Sequence, residues 1–134
     1  MSKFTYSELR FKLYEIIKPM FLNDTFVRIY EKNSKKYSGQ EFETMLVSEK
    51  EKTTDFLEKL YNVKENPYKV STLCRHTDAK LICCLYYRYW IVINLLATGS
   101  DNPNNSFLFK EDATNLDILK TLLIGWADGT NTII

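Results

Sequence analysis

The run from Leu81 to Ala97, LICCLYYRYWIVINLLA, admits few folds, because across its seventeen residues only Arg88 and Asn94 are plainly polar. A membrane-spanning helix needs roughly 20 apolar residues, and a charge at the bilayer centre costs about 2.5 to 3.5 kcal/mol on insertion scales. This run is short and carries Arg88 near its middle. Tyr, Trp, Ile and Val also favour sheets, but seventeen residues is long for one strand. On a helical wheel Lys80, Tyr87, Asn94 and Thr98 share one narrow stripe, Cys84 and Ile91 lie beside it, and the remaining surface is apolar. With Asp78 as N-cap and Gly99 at the other end, the spacing predicts a buried central helix with one polar edge.

At 134 residues and 45% hydrophobic, the chain has the size of one domain, 1–134, with core enough to fold without disulfide or metal. The expected class is mainly α, a compact helical bundle around the central helix, with or without one short β-hairpin. A net charge of +1 gives no global field to steer the protein onto nucleic acid. The opening MSKFTYSEL carries a capping box in place of an apolar signal region, which points to the cytoplasm and away from secretion. Cys74, Cys83 and Cys84 are an odd and poorly spaced set for a disulfide framework and read as reduced core residues.

Thr5 and Glu8 form a T-x-x-E capping box ahead of Tyr6, Leu9, Leu13, Ile16, Ile17 and Met20 at helical spacing, and Pro19 should end or kink that helix. Residues 25–38 can be drawn as a hairpin, with β-favouring residues on either side of EKNSKK, or as helix. Ser38 with Glu41 opens a helix whose apolar side runs from Phe42, Met45 and Leu46 to Phe56, Leu57, Leu60 and Tyr61, with polar SEKEKTTD in its middle. Pro67 forces extended backbone on Asn66 and ends that helix. GSDNPNNS is a surface loop, and a final helix starts near Asp112 or Thr114 and uses Leu116, Leu119, Leu122, Leu123 and Trp126 before an Asp128-Gly129 turn.

Chemistry has few places to sit. His76, the only histidine, lies between Cys74 and Asp78 just ahead of the central helix, so a hydrolase or nuclease would use it with one of them. Residues two apart diverge by about 200° on a helix, and the plain reading gives Asp78 or Thr77 the cap and His76 a structural hydrogen bond. A zinc site would need one histidine and three cysteines to converge, with adjacent Cys83 and Cys84 pointing apart. Gly39 is a lone glycine and makes no phosphate loop. Arg28, Lys32, Lys35 and Lys36 near Tyr30 and Tyr37 could hold RNA, since rings and cations stack bases and bind phosphate, although Glu31, Glu41 and Glu43 dilute the field.

Arg88 must be paired if buried. Glu15, Glu58 and Asp117 are its candidate carboxylates, with an interface as the other option, and Tyr86, Tyr87, Tyr89 and Trp90 beside it are residue types enriched in interface hot spots. The candidate binding residues are therefore Arg28, Lys32, Lys35, Lys36, Arg75, His76 and Arg88. No catalytic, cofactor or metal set is assigned. A non-enzymatic binding protein fits this inventory best, with the His76 enzyme and an RNA-binding module as alternatives.

The segments VRIYEKNSKKYSGQEF and NPYKVSTLCRH, in a small chain rich in Tyr, Lys and Ile with a single Gln, resemble small accessory proteins of archaeal rod-shaped viruses. Some of that group act as anti-CRISPR proteins against type III effector complexes. The resemblance implies an intracellular inhibitor in the host cytoplasm whose partner is a host protein or ribonucleoprotein complex. RNA contact and homodimerisation are further expectations, and a membrane is not. It assigns no residue a role.

Overall fold

The central helix is present at the predicted place: α6 spans Ala79–Thr98, with the Asp78 carboxylate accepting from Lys80 N–H at 2.8 Å at its start. It is the hub of a computed structural model that describes residues 2–102 and 104–125. Trp126 and the Asp128-Gly129 turn lie outside the described residues. Six further helices precede or follow α6: α1 (Tyr6–Phe21), α2 (Asp24–Asn33), α3 (Gly39–Ser48), α4 (Lys50–Asn62), α5 (Pro67–Arg75) and α7 (Asn115–Lys120). A 3-10 turn, Ser34–Lys36, follows α2, and a π-helical turn, Thr121–Gly125, extends α7. Strands β1 (Ser2–Phe4) and β2 (Phe107–Phe109) pair antiparallel. The mainly α expectation holds, with the sheet in a different place from the one expected.

α1, α2 and α3 pack around α6, while α4 packs on α1, α5 and α7. By length and composition α6 could cross a membrane, yet 56% of its most apolar window is buried inside the protein. Its buried apolar side chains, among them Ile82, Leu85, Tyr89, Val92, Ile93 and Leu96, join Leu9, Ile17, Phe26, Leu57, Leu119 and Leu122 in one core cluster. Each such side chain, fully buried, stabilises the fold by about 1.5 to 3 kcal/mol.

Local signals set the helix starts. Thr5 caps α1 by accepting from Glu8 N–H and donating its hydroxyl to the Glu8 carboxylate. Ser38 caps α3 through Glu41 N–H, and Thr114 with Asp117 closes a complete capping box on α7. Asn66 is extended, with φ −122° and ψ 96°, and caps α5 with Pro67 in the first turn. Pro19 does not stop α1, which runs two residues further to Phe21, because so near the end little of the backbone ladder is left to lose.

The helical alternative holds for residues 25–38, and one break and one helix further along were not anticipated. Residues 25–38 form no hairpin: Asn23 accepts from Thr25 and Phe26 N–H and launches α2, whose Phe26 is fully buried, so helical amphipathicity overrides β propensity. The helix opened by Ser38 is two helices, broken at Glu49 with φ −110° and ψ 38°. On either side of the break the two helices take different neighbours, α3 lying on α6 and α4 on α1, α5 and α7. Polar PYKVSTLCR is the helix α5, placed by burying Val70 and Cys74 on one side.

The strands come from residues 2–4, ahead of α1, and 107–109, after α6, and their pairing brings Phe4 edge-on to Phe109 at 5.6 Å. Phe107 and Phe109 point into the core with Leu108 exposed between them, the two-residue period of a strand. Gly99 has an ordinary φ of −69°. It is glycine for space, since a Cβ there would come within 1.4 Å of the Tyr6 ring. Gly39 likewise makes room for the Tyr87 hydroxyl, 2.5 Å from where its Cβ would be.

Candidate functional site

α6 turns Tyr86, Tyr89 and Trp90 toward α1 and α2, and there the aromatic side chains of three helices meet. Tyr86 packs on Tyr30 of α2 at 4.1 Å and on Phe21 of α1 at 5.1 Å. Tyr89 meets Phe21 edge-on at 4.3 Å and Tyr14 at 6.4 Å, and the Arg10 guanidinium lies over the Tyr14 ring at 5.6 Å. Trp90 rests edge-on against both tyrosines, 6.0 Å from Tyr86 and 5.6 Å from Tyr89, and is 45% exposed. Burial pushes the Tyr89 phenol well above the usual range, with Tyr14 and Tyr86 adding and Arg10 opposing. The result is an outward-facing indole on a floor of interlocked rings with a cation at its edge.

The sequence-predicted residues are distributed differently. Arg88 faces α3, where its Nη1 donates to Glu43 Oε1, and the whole residue is only 7% exposed. None of Glu15, Glu58 and Asp117 is its partner. Glu58 instead accepts from Lys120, tying α4 to α7, and Asp117 serves the α7 cap, whose hydrogen bonds from Thr114 hold its carboxyl below the usual range. Tyr87, on the same side as Arg88, packs on Phe42 at 4.8 Å.

Arg28, Lys32, Lys35 and Lys36 are exposed on α2 and its 3-10 turn, with Arg28 near Asp24 of its own helix at 3.9 Å. Tyr30 and Tyr37, expected beside them as stacking platforms, instead turn inward onto Tyr86 and Phe42. The basic side chains share one exposed stretch, whereas both tyrosine rings are half-buried against the core.

Arg75 ends α5 and His76 is its C-cap, both exposed. Cys74 is fully buried, and burial pushes its thiol up to about 12, the opposite of an activated nucleophile. The Asp78 carboxylate is engaged by Lys80 N–H as the α6 cap. The three residues thus serve three local tasks. Cys83 and Cys84 donate to the carbonyls of Ile29 and Phe42, at 3.8 and 3.0 Å. Among the described residues, no three His, Cys, Asp or Glu side chains gather as metal ligands.

Sequence reasoning singled out Tyr86, Tyr89 and Trp90 by residue type, grouped Tyr30 with the basic side chains instead, and missed Arg10, Tyr14 and Phe21, which extend the surface. The detectable signal was Tyr14 and Phe21 seven residues apart on α1, two turns along one face. No family model, no curated protein and no solved structure matches the chain.

Proposed function

We propose that the protein is a non-enzymatic binding module that engages a protein partner through the aromatic surface around Trp90. The observation that carries this reading is an indole left 45% exposed on rings that are already locked by packing. A large side chain held in place before binding loses little conformational entropy on contact. Trp, Tyr and Arg are also the residue types that dominate interface energetics, and here Trp90 and Tyr14 both pack on Tyr89, with Arg10 over Tyr14. The resemblance to viral anti-CRISPR proteins directs the first search for a partner to host ribonucleoprotein effector complexes of type III, with the module acting as an inhibitor in the host cytoplasm.

The test compares wild type with Trp90→Glu as bait in a host lysate, half of each sample treated with RNase. An RNase-resistant partner held by wild type and lost from a folded Trp90→Glu protein supports the proposal. Capture that survives the substitution moves the contact elsewhere. Capture that RNase abolishes in both returns the weight to Arg28, Lys32, Lys35 and Lys36 and to RNA.

A further inference from the structure

A second feature lies where α4 faces the α5–α6 turn. A cleft of about 360 Å³ opens there, with Lys52, Asp55 and Lys59 at its rim along α4 and His76 across from them. Its floor is apolar: Phe56 and Leu81 line it and are 4% and 6% exposed. Lys52 and Lys59 are seven residues apart, so they stand on one helical face about 10 Å from each other along the axis. Asp55 lies between them and pairs with Lys59 at 3.0 Å. Lys52 has no carboxylate partner among the described residues, and His76 supplies a ring N–H in either of its neutral forms.

We propose that this cleft binds a phosphate monoester carrying a small apolar body, independently of the partner surface around Trp90. The phosphate sits at the rim between Lys52 and His76, and the apolar body covers Phe56 and Leu81. A dianion suits the site better than a monocarboxylate, because its greater charge and three acceptor oxygens let it compete with Asp55 for Lys59 while it also holds Lys52. The volume lies at the small end of ligand pockets, which fits a single ring or short acyl chain.

The experiment titrates phenyl phosphate into isotope-labelled protein and follows backbone amide shifts, with inorganic phosphate and phenol as separate probes. Phenyl phosphate should give saturable shifts at His76, Thr77 and Phe56. Its affinity should exceed that of inorganic phosphate by about tenfold, since burying the ring adds roughly 1.4 kcal/mol, and phenol should bind more weakly for want of the charge. Lys52 is exposed, so Lys52→Gln should fold normally and weaken binding several-fold, while Lys110→Gln, outside the cleft, should leave it unchanged. Absence of saturation at millimolar phenyl phosphate, equal affinity for inorganic phosphate, or indifference to Lys52→Gln would each overturn the assignment.

Discussion

Arg88 and Glu43 join the central helix to α3 through an ion pair whose two ends see different amounts of water: the guanidinium side chain is 9% exposed and the carboxylate side chain 33%. Among the described residues the buried Arg88 Nε has no hydrogen-bond partner, so Glu43 carries the compensation for that charge. Removing one partner of a fully buried pair typically costs about 3 to 5 kcal/mol, and the exposure of Glu43 lowers the expectation for Glu43→Ala to about 2. Replacing both, as Arg88→Met with Glu43→Leu, should be nearly neutral because no buried charge remains. Urea midpoints of the single and double variants check this, and a double variant as unstable as Glu43→Ala would refute it.

Gly99→Ala should destabilise the protein by about 1 to 3 kcal/mol, the usual cost of overpacking, because the new methyl falls inside the Tyr6 ring. Tyr6→Ala in the same chain should recover part of that loss. Thermal melts of the two single variants and the pair measure the coupling, and strict additivity would show that the Tyr6 ring is not the obstacle.

Asp101 accepts both the N–H and the O–H of Ser7, at 3.1 and 2.7 Å, and so fastens the loop after α6 to the first turn of α1. Asp101→Ala should lower stability by about 1 kcal/mol. Adding Ser7→Ala should change little more, since the hydroxyl has already lost this acceptor. Chemical denaturation of both variants is the check.

Burial raises all three thiols: Cys74 to about 12, Cys84 to about 12 with Glu43 adding and Arg88 opposing, and Cys83 to about 11 with Asp78 adding. A group whose folded value is raised contributes its full stabilisation below its unfolded value, about 8.5 for a thiol, and loses it as pH climbs through the folded value. Stability should therefore hold near neutrality and fall from about pH 9 upward. Under native conditions at about pH 8 the thiols should resist alkylation, because the thiolate is the reactive form. In urea all of them should react. Rapid labelling of the native protein, counted by mass spectrometry, would contradict the burial.

The helix starts at Thr5, Ser38, Asp78 and Thr114 were legible because a short polar cap followed by apolar residues leaves a local signature. α6 was legible because its length excludes a strand and its Arg88 disfavours a membrane span. The break at Glu49 was not, since Leu46 and Leu57 are eleven residues apart, close to three helical turns, and keep the apolar phase across it. α5 carries too few apolar residues to show a period, and α2 was ambiguous because Phe, Val, Ile and Tyr suit either structure until Phe26 finds Phe21 at 4.7 Å. Partners distant in sequence, Glu43 for Arg88 and Tyr14 for Tyr89, depend on how helices cross, which no local pattern encodes.

The pairing of Phe4 with Phe107 and of Ser2 with Phe109 sets an order of events on folding. Closing a loop of about a hundred residues is entropically unfavourable compared with forming any one helix, and three residues per strand return little by themselves. The two strands can meet only after the intervening helices have brought them close. The sheet thus acts as a closing clasp, and amide protection within the two strands should be acquired last in a refolding experiment.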